Sequence, residues 1–261
     1  MASGLEDGDV SASTVMRLRA STGRRTGRWA LSEGVHDAAG IVSGTTDFVV
    51  GGGAGAATGS VQGLPATGGA AHVVGSLPQP RSDLSAVTAA GTSYIVGGFS
   101  GTTMARAVLL TRDGRTFHTV ARLPIPVRYA AVAVAAGALW VIGGRTDPGG
   151  STTTDAVQRI DLRTGRAAVV SHLAASLSDA SAVTLNGTVF ICGGDRSGVT
   201  ATDQVLRLDT ATGRVKHAGR LAYPVADFGA AVLGSGPSAV AYLVGGENST
   251  REARVQTLRI A

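Results

Sequence analysis

Residues 121–147, ARLPIPVRYAAVAVAAGALWVIGGRTD, repeat the pattern of residues 75–101, GSLPQPRSDLSAVTAAGTSYIVGGFSG. Each stretch runs from a Leu through an alternating segment and an apolar run to a Gly-Gly pair. The pattern occurs five times, with its Leu at Leu31, Leu77, Leu123, Leu173 and Leu221 and its Gly pair at 51–52, 97–98, 143–144, 193–194 and 245–246. A spacing of roughly 46 to 50 residues, kept over five copies, indicates a repeat protein.

Each repeat predicts four short strands. The first carries small and β-branched residues, as in SDLSAVTAA from residue 82, and the second is a nearly continuous apolar run, as in LWVIGG from residue 139. The third alternates, as in AVQRIDL from residue 156, and ends in a Gly-containing turn, while the fourth is short and polar. No segment has the apolar spacing of a helix, so the predicted fold class is all-β.

Composition limits the classes of partner. The net charge is +5, but only one of the 23 basic residues is Lys and the Arg residues are scattered. Because binding to phosphates requires clustered cations, we predict no nucleic-acid partner. An Arg-rich chain that is almost free of Lys is typical of a GC-rich bacterial genome. The single cysteine, Cys192, lies in an apolar run and excludes an internal disulfide.

The sequence also bears on location. No apolar run approaches the roughly 20 residues needed to cross a bilayer, so we predict no membrane span. The N-terminal residues lack the basic and apolar regions of a signal peptide. As written, the sequence predicts a cytoplasmic monomer, or an extracellular one if an export signal precedes it.

The repeats resemble a known family. A Gly-Gly pair that closes an apolar second strand, with Arg-Ser before the first strand in PRSDLSAV, is similar to the kelch repeat. The resemblance covers the chain from about residue 14 to the end. It implies a kelch-like β-propeller built from four-stranded blades, with 1–261 as a single domain and 1–13 as a flexible N-terminal segment.

The number of blades has two interpretations. Five pairs of first and second strands predict five four-stranded blades. Residues 14–20 already resemble a third strand, however, which favours a six-place ring with an incomplete first blade.

One position in each repeat is a candidate binding position. The residues six places after the repeat's Leu are Asp37, Asp83, Tyr129, Asp179 and Asp227. The kelch resemblance implies that these residues surround one mouth of a central channel. His36 and Arg128 stand beside two of them, and Arg81 precedes a third.

The four Asp residues have two interpretations. As a ring of converging carboxylates they would bind a cationic or polar ligand, with Ca²⁺ as a candidate because it prefers oxygen ligands. As structural residues, each would accept hydrogen bonds from the backbone of its own loop, and a feature repeated in four copies favours this account. Tyr129 is then the copy in which a specific role is expected.

Two functions remain open. The first is a non-catalytic binding module that presents the channel face and the loops after the Gly pairs to a protein or a small polar or cationic ligand, because these loops differ between the copies. The second is a propeller enzyme of epimerase or lyase type, in which a channel-mouth Asp acts with Arg128 and Tyr129. The sequence contains no motif for a catalytic nucleophile and predicts no cofactor beyond the candidate Ca²⁺. Both observations favour the binding module.

Overall fold

The computed structural model describes residues 5–6, 10–197, 200–251 and 254–260. It is all-β, with 53% of residues in strands. Within the described ranges the only helical segment is one 3-10 turn, Gly236–Ser238. The described residues therefore contain no helix that is long and apolar enough to cross a membrane. The prediction that the chain is all-β is confirmed. The chain divides into two compact units, Met1–Val120 and Ala121–Ala261.

In its described residues the first unit contains three sheets of three or four strands and one two-stranded ladder, and its last strand extends two residues past Val120. Its strands are β1 (Leu5–Glu6), β2 (Val10–Ser11), β3 (Thr14–Leu18), β4 (Arg25–Ala30), β5 (Ala39–Ser43), β6 (Thr46–Val50), β7 (Ser60–Leu64), β8 (Gly69–Ala70), β9 (His72–Ser76), β10 (Ser85–Ala89), β11 (Thr92–Val96), β12 (Ala107–Thr111) and β13 (His118–Arg122). Sheet 1 has the order β3-β4-β8, sheet 2 the order β5-β6-β7-β9 and sheet 3 the order β10-β11-β12-β13. The strand predicted over residues 14–20 is therefore present, as β3. The flexible segment predicted over 1–13 lies partly outside the described residues, and β1 pairs with β2 inside them.

The described residues of the second unit form three further sheets of longer strands and two small ladders. Its strands are β14 (Ala131–Ala135), β15 (Ala138–Ile142), β16 (Ala156–Asp161), β17 (Ala167–His172), β18 (Leu177–Ser178), β19 (Ser181–Leu185), β20 (Thr188–Cys192), β21 (Asp195–Arg196), β22 (Thr200–Ala201), β23 (Gln204–Leu208), β24 (Val215–Arg220), β25 (Gly229–Leu233), β26 (Val240–Val244), β27 (Glu247–Asn248), β28 (Thr250–Arg251) and β29 (Val255–Leu258). Sheet 4 has the order β14-β15-β16-β17, sheet 5 the order β19-β20-β23-β24 and sheet 6 the order β25-β26-β29. Small ladders join β18-β21-β22 and β27-β28.

The first two strands of each repeat form a hairpin whose register is set by its turn. In sheet 4 the pairing runs from Ala131 opposite Ile142 to Ala135 opposite Ala138. The two turn residues, Ala136 and Gly137, have φ angles of +50° and +70°. Type I′ turns require positive φ at both central residues, and they match the twist of the flanking strands.

Glycine is required at the Gly-Gly pair because other backbone atoms lie very close to it. Gly143 and Gly144 have φ angles of +65° and +104°. A β-carbon on Gly144 would lie 2.8 Å from the carbonyl oxygen of Arg128 in the same repeat. The Gly144 N–H donates a 2.8 Å hydrogen bond to the carbonyl of Leu177 at the start of the next repeat. Only glycine satisfies both the conformation and the spacing.

Leu77 and Leu173, which begin two of the repeats, each pack between neighbouring sheets of one unit. In the first unit Leu77 lies in a core cluster with Phe48 and Val50 of sheet 2 and Ile95 of sheet 3. In the second unit Leu173 and Leu177 join Trp140 of sheet 4 and Ile191 of sheet 5. Full burial of a Leu contributes about 1.5–3 kcal/mol relative to exposure, so each of these two repeats is stabilised by packing on its neighbour in the same unit.

Candidate functional site

The candidate binding position has a left-handed backbone in every repeat. The φ angles are +50° at Asp37, +58° at Asp83, +55° at Tyr129, +56° at Asp179 and +49° at Asp227. Asp adopts this region more readily than most residues with a β-carbon, because its short polar side chain bonds to the local backbone. This preference explains why four copies carry Asp and makes Tyr129 the conformational exception.

Backbone hydrogen bonds link these positions from one repeat to the next. In the first unit the Asp83 N–H donates to the carbonyl of Asp37 at 3.0 Å. In the second, Asp179 donates to Tyr129 at 3.0 Å and Asp227 donates to Asp179 at 2.9 Å. The backbone of this position therefore has a structural role, because it connects neighbouring repeats by hydrogen bonds.

A second constant feature holds two loops side by side. The residue before the left-handed position pairs antiparallel with the residue that follows the Gly pair of its own repeat. The five pairs are His36–Gly53, Ser82–Phe99, Arg128–Arg145, Ser178–Asp195 and Ala226–Glu247. Each repeat thus presents the same backbone platform with different side chains.

Arg145 is the centre of a charged cluster in the second unit. Its Nε and Nη2 donate to Oδ2 of Asp179 at 3.1 and 2.8 Å, and its Nη1 donates to the carbonyl of Gly150 at 2.8 Å. Nη2 also lies 3.5 Å from Oδ2 of Asp195. The Asp179 side chain is only 7% exposed. Its carboxylate is therefore bound by an Arg of the preceding repeat, in addition to any local backbone role.

Two guanidinium groups lie close to the Tyr129 ring. The guanidinium carbons of Arg128 and Arg145 lie 5.6 and 5.7 Å from the centre of its ring. Such cation–π contacts contribute about 0.5–2 kcal/mol each, depending on desolvation. They offset part of the cost of holding a bulky side chain in the left-handed region. They also place an aromatic ring, two cations and two carboxylates at one site.

The cluster changes the acidity of its members. Burial raises the pKa of the Asp195 carboxyl, and the carboxylates of Asp179 and Glu247 raise it further against the opposing charge of Arg145. Burial alone would lower the pKa of Arg145, but its hydrogen bond and charge interaction with Asp179 hold that pKa above its ordinary value. Arg145 therefore stays charged, and Asp195 is the carboxyl of this site that protonates more readily than an ordinary Asp.

In the first unit His36 has a different environment. Its Nδ1 lies 2.9 Å from Oγ of Ser11, and its ring covers Gly53, where a β-carbon would lie 2.6 Å from Nε2. Oδ2 of Asp37 is 4.0 Å from Nε2, which is too far for a hydrogen bond.

Arg81, a predicted ligand residue, lies in the core. It is 1% exposed, and its Nη1 donates to the carbonyls of Gly97 and Ala107 at 3.2 and 2.9 Å. Its Nε has no hydrogen-bond partner within the described part of the chain. Burial lowers the pKa of Arg81 to about 10. Through these contacts Arg81 connects the Gly pair of its own repeat to the third strand.

The structure thus gathers Arg128, Tyr129 and Asp179 into one site of the second unit. It adds Arg145, which sequence reasoning did not select, and Asp195, which the sequence places on a variable loop as part of a possible acidic face. Their signal in the sequence is their position directly after the Gly pair. Across the described ranges, no group of three or more His, Cys, Asp or Glu side chains is arranged to hold a metal ion.

Comparison with known proteins gives no assignment. No protein-family model matches the chain, and none of the curated proteins matches its sequence at a significant level. The kelch resemblance therefore stays a prediction from the repeat itself.

Proposed function

We propose that this protein is a kelch-like propeller that acts as a non-catalytic binding module. Its recognition surface would consist of the paired loops, namely the loop before each first strand and the loop after each Gly pair. The observation that carries the proposal is that all five loop pairs have the same backbone pairing but different side chains. A constant platform with variable side chains is what recognition requires, since packing alone does not call for the variation.

The side chains of the second unit favour a polar or charged partner. Tyr and Arg are among the residues enriched at protein interfaces, and Tyr129, Arg128 and Arg145 lie together. Glu247 is exposed and adds an acidic edge. The site therefore suits a peptide segment or small ligand that carries both polar and charged groups.

Selection of peptides from a displayed random library against the immobilised protein tests this proposal. The affinity of each selected peptide is then measured for the wild type, Glu247→Ala and Arg163→Ala. Glu247 lies on the proposed surface, whereas Arg163 is an exposed charge in the turn after β16, at the other end of its strand. We expect a loss of affinity for Glu247→Ala alone. Equal affinities for all three proteins would place the binding elsewhere and contradict the proposal.

A propeller enzyme is the second candidate, and Asp195 is the observation that favours it. Its raised pKa, beside Arg145 and near Tyr129, is a property that general bases need. Titration of the Asp195 carboxyl by NMR, with exposed Asp47 as reference, separates the two functions. A pKa near neutrality would favour the enzyme, and a pKa in the acidic range would favour the binding module.

A further inference from the structure

A glutamine of the third strand clamps the start of the repeat in three of the five copies. Oε1 of Gln158 accepts from the Ile125 N–H at 2.9 Å, and its Nε2 donates to the Ile125 carbonyl at 3.1 Å. Gln62 makes the same two bonds with Glu33 at 3.0 and 2.9 Å, and Gln256 makes them with Tyr223 at 3.0 and 3.1 Å. A carboxamide is thus the group that this loop backbone binds.

The clamp is missing in the fourth repeat. Leu206 pairs with Ile191 in the same way that Gln158 pairs with Val141, so it occupies the position of the clamp. The loop residue equivalent to Ile125 is Ala175. Its N–H and carbonyl have no hydrogen-bond partner within the described part of the chain.

A groove lies where the clamp would be. It has a volume of about 150 Å³ and is lined by Leu173–Leu177, Leu206, Val215 and His217. Since one water takes up about 30 Å³ of the liquid, the groove has room for a small side chain. Gln204 and Arg196 also line it, and neither makes a side-chain hydrogen bond to a described residue.

We propose that this groove binds a glutamine side chain of a partner peptide. The inserted carboxamide would make with Ala175 the two hydrogen bonds that Gln158 makes with Ile125, while its methylene groups would pack on Leu206. Arg196, which is exposed, would attract an acidic residue next to that glutamine. The groove is lined by none of Tyr129, Arg145 or Asp195, but Ala175 and Arg196 belong to the paired loops of the fourth repeat. The inference therefore rests on the proposed recognition surface and names one ligand group for it, whereas the Glu247→Ala comparison tests that surface without this groove.

The test uses the full chain and two blocked tripeptides, acetyl-Asp-Gln-Ala-amide and acetyl-Asp-Met-Ala-amide. Met has a shape similar to that of Gln but lacks the carboxamide. Binding is followed through the amide NMR signal of Ala175. We expect the Gln peptide to shift this signal saturably and to bind about tenfold more tightly than the Met peptide, because each new hydrogen bond contributes modestly. This comparison needs no variant.

Two variants complete the test. Leu206→Gln restores the internal clamp and fills the groove, and we expect it to abolish binding of the Gln peptide. Leu206→Met conserves volume without adding a carboxamide, and we expect it to bind as the wild type does. The proposal is overturned if the Ala175 signal does not move at millimolar peptide, if both peptides bind equally, or if Leu206→Gln binds as well as the wild type.

Discussion

The backbone N–H of Asp227 donates a 2.9 Å hydrogen bond to the carbonyl oxygen of Asp179, the equivalent residue of the preceding repeat. Both residues are left-handed, with φ angles of +49° and +56°. The main role of this repeated acidic position is thus a backbone hydrogen bond between neighbouring repeats. Side chains at this position are selected for tolerance of the left-handed region, and Tyr129 departs from that rule at the site where two Arg residues meet.

The left-handed position predicts a difference between two substitutions at Asp227, which is exposed. Asp227→Gly and Asp227→Val both remove the carboxylate, so their difference reports the backbone alone. The valine variant should have a free energy of unfolding about 1–2 kcal/mol below that of the glycine variant, because a β-branched residue is strained at positive φ. Urea unfolding measures the difference, and equal stabilities would show that the position carries no such strain.

The Gly pair predicts a second matched comparison. Gly144 and Gly137 both have positive φ, but a β-carbon on Gly144 would meet the Arg128 carbonyl at 2.8 Å, whereas one on Gly137 would meet nothing within 4 Å. Gly144→Ala should therefore destabilise the protein by about 1–3 kcal/mol more than Gly137→Ala, because it adds overpacking to the conformational cost. Thermal and urea unfolding of both variants checks this, and a similar loss in both would argue against close approach at the pair.

The Arg145–Asp179 ion pair is largely buried, so we expect it to contribute to the free energy of unfolding. Arg145→Met should cost about 1.5–3 kcal/mol, since it removes hydrogen bonds to a carboxylate that is 7% exposed. The matched control is Arg220→Met. The Arg220 side chain is 68% exposed in its pair with Asp203, so this substitution should cost less than about 1 kcal/mol. Comparable losses in the two variants would contradict the assigned role of Arg145.

Arg145→Met should also change the dependence of stability on pH. Arg145 lowers the pKa of Asp195, so its loss should raise that pKa further above the unfolded value of about 3.9. A carboxyl with a raised pKa binds its proton more tightly when folded, so stability falls as pH rises through the window between the two values. The deficit of the variant should therefore be larger at pH 7 than at pH 4. A deficit independent of pH would exclude this coupling.

A turn carboxylate predicts the opposite pH dependence. Asp161 accepts hydrogen bonds from the hydroxyl and the backbone N–H of Thr164 and from the backbone N–H of Arg163, and these bonds lower its pKa. The stability it contributes is present above the unfolded pKa and is lost as pH falls toward the folded pKa. Asp161→Asn should therefore lose less stability between pH 6 and pH 3 than the wild type does. Parallel losses, measured by urea unfolding, would contradict this.

Much of each repeat was predictable because its signals are local. Alternation, the Gly pair and the X-Gly turns indicate hairpins such as β14–β15 without any knowledge of distant contacts. The Arg145–Asp179 pair was not predictable in this way, since its members come from different repeats and meet only when the sheets pack. The Gln158 clamp was missed for another reason: a glutamine in an alternating strand resembles an ordinary exposed polar residue, and only the structure shows that it is buried.

Chemical-shift mapping of a selected peptide onto the ¹⁵N-labelled protein tests the central claim most directly. The account predicts that the largest amide shifts fall on the paired loops, at residues such as Thr146 and Glu247. Largest shifts in the turns at residues 163–165 and 211–213, at the other end of their strands, would contradict the assignment of the paired loops as the recognition surface.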